Sequence, residues 1–283
     1  MPDLPTPERA AAVAYRLACF DFPWDVTRSL EMALFRTFAS PAIGRLLDAT
    51  GEFAARPQKR YDDTDLIVST ILEHGFDSEP GRRAIARMNA IHRRFRIANE
   101  DFLYVLSTFV FEPLRWLKRF GWRELTAEER FAWFVFWREV GLRMEIRDIP
   151  ADYAGFERFN REYERTRFRR TEASRAVAIA TREMFARWFP LPMRPLVRRG
   201  ITALLDERLR QAIDFPEAPV TARLLRLSLR GRAVALRLLP KRRTPLLRTR
   251  LVHRSYPDGW TIETLGPSIR PAQTPWPGQP EGS

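Results

Sequence analysis

The spacing of apolar residues is the feature that most constrains the fold of this chain. In most segments they recur three or four positions apart, as they do on one face of an α-helix. The segment from Trp24 to Phe38 is typical, because Val26, Leu30 and Leu34 repeat at that interval. Neither the regular apolar–polar alternation of a half-buried strand nor an internal repeat is visible. The sequence therefore predicts an all-α protein of about ten helices.

The 283 residues are enough for one large domain or two small ones. Composition divides the chain into a polar lead-in at 1–20, a helical domain at 21–215, a basic amphipathic arm at 216–260 and a Pro- and Gly-rich disordered tail at 261–283. No clean linker separates these parts, and any domain boundary is expected near Phe215. We therefore expect a single multi-helix domain that carries a basic arm.

The net charge of +13 is concentrated in the arm. Eleven arginines and lysines, and no aspartate or glutamate, lie between Val220 and Pro257. Near an anionic membrane each basic residue can add about 1 kcal/mol of binding free energy, so contact through residues 220–256 is one interpretation. A solvated helix that covers the main domain is another. Nucleic-acid binding is disfavoured, because leucines stand where stacking aromatic residues are expected.

The single cysteine, Cys19, excludes an internal disulfide framework and fits a reducing compartment. The N-terminal residues are polar and lack the basic and apolar regions of a secretion signal. No apolar run approaches the roughly 20 residues that span a bilayer. The sequence predicts a cytoplasmic protein that is soluble or at most peripheral to a membrane.

Histidine is scarce, which limits the metal sites that the chain can form. The three histidines, His74, His92 and His253, are not part of a Cys/His cluster and do not follow the Glu-x-x-His spacing of di-iron bundles. Gly-rich phosphate loops and a G-x-S-x-G turn are also lacking. His74 precedes Gly75 at a predicted helix end, and His253 is predicted to be a surface residue. A metal function would therefore depend on one protein ligand, and haem is the cofactor that most often accepts this.

The stretch from Ser78 to Tyr104 predicts two helices joined by a short break. Ser78 is expected to cap the first helix, and Asn99 the second. The first helix has an apolar face with arginines around it, and His92 lies on that face. His92 is either a ligand of haem iron or a core histidine that one hydrogen bond satisfies.

Another helix is predicted to begin after the loop at 51–59, with Asp62 or Asp63 as its cap. An aspartate pair before an apolar helix requires no chemical role, so a purely structural interpretation stays open.

Three motifs in order resemble the family that includes rubber oxygenase and the fungal ER-bound oxygenase of mycophenolic acid synthesis. They are Arg60-Tyr-Asp-Asp-Thr64, Met88-Asn-Ala-Ile-His-Arg-Arg-Phe-Arg96 and Asn99-Glu-Asp-Phe-Leu-Tyr104. The resemblance covers about residues 20–200. It implies an all-α fold around haem b, in which dioxygen cleaves a carbon–carbon double bond of an apolar, isoprenoid-like substrate.

The resemblance also implies roles for single residues. His92 matches the proximal iron ligand, and Arg60 and Arg96 are expected to neutralise the haem propionates. Arg60 and Thr64 match an Arg-x-x-Lys-Thr element of the haem pocket. Asp63 departs from that element, since it stands where rubber oxygenase has lysine; it is a distal base or proton relay, or a helix cap. The alternative to an enzyme is a non-enzymatic basic helical protein that docks on anionic membranes.

Overall fold

The computed structural model describes residues 4–267, and these residues form thirteen α-helices without a strand of more than one bridge. The helices are α1 (Pro7–Arg16), α2 (Pro23–Phe38), α3 (Pro41–Ala49), α4 (Glu52–Ala55), α5 (Pro57–His74), α6 (Glu79–His92), α7 (Asn99–Phe120), α8 (Ala127–Arg143), α9 (Tyr153–Arg167), α10 (Glu172–Ala186), α11 (Arg194–Leu204), α12 (Glu207–Ala212) and α13 (Pro219–Leu238). A π-helical turn, Leu17–Asp21, joins α1 to α2. The all-α prediction is confirmed, and about ten helices was too few.

Short-range signals set several helix starts. The Ser78 hydroxyl accepts a hydrogen bond from the Gly81 N–H at 3.1 Å, which confirms the predicted cap of α6. Asn99 is not the cap of α7, because it is already the first helical residue. Its side chain instead bonds the backbone of Arg147, with the N–H at 2.9 Å and the carbonyl at 3.0 Å. Asn99 therefore fixes a distant loop rather than its own helix end.

The predicted loop at 51–59 is largely helical. Gly51 adopts a left-handed conformation with φ of 69°, and α4 and then α5 follow. Pro57 lies in the first turn of α5, where its fixed φ suits a helix and its missing N–H is not needed. Asp62 and Asp63 are therefore inside α5, and the prediction that one of them caps a helix is wrong.

The helix α7 lies at the centre of the core, as its nearly continuous apolar character predicts. It packs against α2, α8, α9 and α13. Pro113 lies inside it without ending the helix. The segment that the sequence suggests as a polar lead-in contains α1, which packs on α8 and buries Ala10 and Ala14 completely. These contacts bring the N-terminal residues into the main core.

The C-terminal part differs most from expectation. The helices α11 and α12 are separate, because Asp206 lies between them and caps the second. Residues 246–266, here called the strap, run along α5 and α6. Leu265 is fully buried, so the prediction of a disordered tail is wrong for 261–267, and 268–283 lie outside the described residues.

None of the described helices combines the length and the hydropathy required to cross a lipid bilayer.

Candidate cofactor and substrate site

His92 is the last residue of α6, and its imidazole lies largely buried beside α7. The ring meets the Phe102 ring edge to face, with centroids 5.2 Å apart. Among the described residues no group hydrogen-bonds the buried Nδ1 atom. A buried nitrogen without a partner is costly unless a group from outside the chain satisfies it. Within the described residues, this nitrogen of the imidazole is therefore free to interact with a group from outside the chain.

Burial, together with the smaller effect of the nearby charge of Arg60, lowers the pKa of His92 to about 4. The imidazole is consequently neutral at physiological pH and keeps a lone pair. Neutral imidazole is the form that binds metals. The protonation state of His92 thus matches the predicted role as an iron ligand.

Arg60 and Thr64 lie one turn apart on α5, and the guanidinium of Arg60 donates a hydrogen bond to the Thr64 hydroxyl. The guanidinium also lies 5.7 Å from the centre of the Phe53 ring. Burial lowers the pKa of Arg60, and no carboxylate within residues 4–267 forms an ion pair with it. A buried guanidinium has five N–H donors, so Arg60 can still bind an anionic group.

Asp63 and Arg96 are placed differently. The Asp63 carboxylate accepts hydrogen bonds from the Lys59 ammonium, at 2.9 Å to each oxygen, and from the Tyr256 hydroxyl of the strap. Arg96 is exposed in the connector after α6, since that helix ends at His92. The structure thus joins Arg60 to Thr64 by a hydrogen bond and places the Arg60 charge near enough to His92 to affect its pKa. It places Asp63 in a separate network and Arg96 at the surface.

The pocket beside His92 has a volume of about 230 Å³. Small-molecule sites commonly have roughly 300 Å³ or more, so a whole porphyrin requires the rim to open. Arg93 and Glu145 form an exposed ion pair of 2.9 Å, and both line the pocket. Such surface pairs contribute about 1 kcal/mol or less. His92 offers a nitrogen ligand to this pocket, whereas Arg60 and Thr64 are not among the residues that line it. A haem bound to His92 would therefore reach Arg60 only after the rim, which a surface ion pair closes, has opened.

A second, narrow cleft separates α2 from α5 and has a volume of about 60 Å³. Phe109 of α7 and Leu246 of the strap complete its walls. Thr64 lines this cleft and also accepts a hydrogen bond from Arg60, while the cleft and the pocket beside His92 share no lining residue. Most of the lining is apolar: Ala18, Pro23, Val26, Leu30, Leu34, Val68, Leu72, Phe109 and Leu246.

Glu31 is a buried carboxyl group in the wall of the cleft, and sequence analysis missed it. It accepts hydrogen bonds from the Tyr61 hydroxyl at 2.7 Å and from Arg28 at 2.6 Å. Burial outweighs these partners and raises the pKa of Glu31 to about 7. The available signal was its spacing, since Glu31 lies three residues before Leu34 on the apolar side of α2. Glu31 can therefore gain or lose a proton near neutral pH.

His253 is not the surface residue that we predicted. It is buried in the strap, where its Nε2 lies 3.0 Å from the Asp65 carboxylate and its Nδ1 lies 2.9 Å from the Leu251 carbonyl. Arg248 pairs with the same carboxylate at 2.6 Å. The strap is thus fixed to α5, the helix that carries Arg60 and Thr64.

Most of this chain is similar in sequence to a known protein family. Residues 27–238 match the family described as ER-bound oxygenase mpaB/B'/Rubber oxygenase, catalytic domain. The chain belongs to this family. The ER-bound oxygenase mpaB' of Penicillium brevicompactum is 28% identical over 238 residues, which are 76% of this chain and 55% of that protein. The ER-bound oxygenase mpaB of Penicillium roqueforti is 28% identical over 236 residues, covering 75% of this chain and 77% of that protein.

Membership of the mpaB and rubber oxygenase family confirms the resemblance that the three sequence motifs indicated. The matched residues run from α2 to the end of α13, further than the residues 20–200 that we expected. They include His92, Arg60 and both sides of the cleft between α2 and α5. The chain spans about half the length of the mpaB' relative, so the activity of the whole protein is a matter for proposal.

Proposed function

We propose that this oxygenase-family domain binds haem b through His92 and oxidises an apolar substrate of isoprenoid type with dioxygen. The observation that carries the proposal is the buried, neutral imidazole whose Nδ1 atom has no partner within the described residues. A core histidine satisfied by one hydrogen bond, the alternative from the sequence, lacks that hydrogen bond at this nitrogen. Haem is the cofactor that most often accepts a single protein ligand.

Arg60 is the residue that would hold the anionic edge of the cofactor. Its guanidinium is buried close enough to His92 for its charge to lower the pKa of that imidazole. A propionate would accept the N–H groups that the Thr64 hydroxyl leaves free. Arg60 would then neutralise a charge that a buried site could not otherwise hold.

When bound, haem supplies the redox-active iron for reaction with dioxygen, and the protein supplies an apolar path to it. The cleft between α2 and α5 offers aliphatic walls to a hydrocarbon substrate, and it must widen to admit one. At one side Glu31 and Tyr61 offer a hydrogen-bonded pair to a polar end group. Oxidative cleavage of a carbon–carbon double bond, the reaction that the family resemblance implies, is part of this proposal, as is a role for Asp63 as distal base.

Haem binding is tested with the full chain expressed in haem-supplemented cells. We expect a Soret band and a b-type pyridine haemochrome at about one haem per chain. His92→Ala should remove both, because the chain offers no second imidazole at this pocket. His74→Ala is the matched control, since His74 is exposed at the end of α5 and should leave the haem content unchanged.

A colourless wild-type protein, or a His92→Ala variant with an unchanged spectrum, would refute the proposal. Arg60→Gln should weaken haem binding about tenfold or more, since it removes a charge-assisted hydrogen bond in a buried site. Equal haem affinity of Arg60→Gln and wild type would exclude Arg60 as the propionate partner while leaving His92 as the ligand.

A further inference from the structure

Two opposite faces of α13 are apolar, and only one of them contacts the protein. The inner face packs on α7 and α11 through Ala222, Leu225, Leu229 and Ala233. Arg232 fixes this face in place, because its guanidinium binds the Asp25 carboxylate at 3.0 and 3.2 Å and lies 4.0 Å from the Trp24 ring. The position of α13 on the domain is thus defined by buried contacts on one side.

The outer face of α13 is a stripe of large aliphatic side chains. Their successive separations are four, three, seven and four residues, which place them in one line on an α-helix and opposite the inner face. Each side chain is between 57% and 85% exposed, a range that core packing does not explain. The members of the stripe are Val220, Leu224, Leu227, Val234 and Leu238.

Arginines border the stripe on one side. Arg223, Arg226 and Arg230 repeat at three and four residues, so they lie together along one flank of α13, and all three are exposed. Within residues 4–267 the ion pair that α13 forms is the one between Arg232 and Asp25, which leaves the flank without acidic neighbours. A leucine stripe beside a row of arginines is typical of helices that lie in a membrane interface.

The helix next to α13 adds to the apolar surface. Leu191 and Met193, in the turn before α11, and Leu196, in its first turn, are exposed, Leu191 to 73% and Leu196 to 63%. The helix α11 packs directly against α13, so these exposed side chains belong to an element that contacts α13. Exposed apolar area of this extent on a folded domain indicates an interaction surface.

We propose that the outer face of α13 inserts into the headgroup region of an anionic lipid membrane, with Arg223, Arg226 and Arg230 bound to lipid phosphates. A second copy of the chain is a poor occupant, because residues 220–257 carry eleven positive charges and no negative ones, and two such surfaces repel. Residues 268–283 contain one arginine and one glutamate and thus offer no net opposite charge. The proposal does not depend on haem binding.

The test is flotation of the full-length protein with vesicles of phosphatidylcholine alone and with vesicles in which a third of the lipid is phosphatidylglycerol. We expect binding to the anionic vesicles only, and we expect it to weaken as salt increases. The double variant Leu224→Asn/Leu227→Asn should bind about tenfold or more weakly. Leu142→Asn, at an exposed leucine on α8, is the matched control and should bind like wild type.

A triple variant, Arg223→Gln/Arg226→Gln/Arg230→Gln, should lose most of the preference for anionic lipid, while Arg161→Gln/Arg165→Gln on α9 should keep it. Circular dichroism would verify that every variant is folded, which is expected because the substituted side chains are exposed. Failure of wild type to bind, or equal binding to neutral and anionic vesicles, would overturn the proposal. So would self-association that Leu224→Asn/Leu227→Asn abolishes without vesicle binding, or vesicle binding that appears only after residues 268–283 are deleted.

Discussion

Glu31→Gln is the substitution whose effect on stability follows most directly from the structure. Glu31 is 4% exposed in the wall of the cleft between α2 and α5. Burial raises its pKa from 4.5 to about 7 despite the hydrogen bonds from Arg28 and Tyr61. The folded protein therefore holds a proton that the unfolded chain releases at lower pH.

The sign of the effect follows from proton binding. Between pH 4.5 and about pH 7 the folded state binds more protons at Glu31 than the unfolded state does, so the free energy of unfolding falls as pH rises through this window. Each pH unit in the window corresponds to about 1.4 kcal/mol, which gives a total of about 3 kcal/mol. Glutamine does not ionise. The stability of Glu31→Gln relative to wild type should therefore increase by about 3 kcal/mol between about pH 4.5 and about pH 8.

Urea unfolding followed by tryptophan fluorescence at several pH values measures this difference. In thermal scans it corresponds to a relative rise of roughly 6–12 °C in the melting temperature. Glu217→Gln replaces an exposed glutamate and serves as the matched control, in which no effect of burial is expected. A stability difference between Glu31→Gln and wild type that stays constant with pH would refute the reasoning. It would mean that Arg28 and Tyr61 compensate fully for the burial of the carboxylate.

Two further substitutions test the packing around the site. Leu265→Ala should lower the free energy of unfolding by about 2–5 kcal/mol in urea titrations, because Leu265 anchors the strap in the core at full burial; a loss below about 0.5 kcal/mol would show that the strap does not contribute to the core. Gly44→Ala should destabilise the protein by about 1–3 kcal/mol in the same titrations, since the new Cβ would lie 2.5 Å from the Ser174 hydroxyl oxygen and 2.9 Å from the Phe38 carbonyl oxygen. Gly200→Ala meets no atom within 4 Å and should be neutral or stabilising by up to about 1 kcal/mol, and equal effects of the two alanines would contradict this account.

Patterns among residues close together in the sequence predicted most of the helices. They did not predict features that depend on contacts between residues far apart in the sequence. The predicted cap at Ser78 is confirmed, because a cap involves residues only three positions apart. The structural role of His253 could not be predicted in the same way. Its partner Asp65 lies 188 positions earlier in the chain, and only the path of the strap brings the two together.

The candidate site, too, could be predicted from the sequence only in part. The motifs around Arg60 and His92 were sufficient to identify the family. They did not show that the guanidinium lies near the imidazole, nor that Asp63 is bound to the strap. Glu31 could not be recognised as a buried acid from its own helix, since its pKa depends on the wall that α5 places opposite it.

By itself the sequence determined the all-α class, most helix starts, the concentration of positive charge near the C-terminus and the candidate iron ligand. Each of these depends on residues a few positions apart or on composition. Only the tertiary structure decided which apolar face of α13 is buried, which nitrogen of His92 is buried without a partner among the described residues, and which carboxyl group has its pKa raised by burial. These properties depend on what a distant element places against a side chain, because burial and its electrostatic cost are set by neighbours in space rather than in sequence.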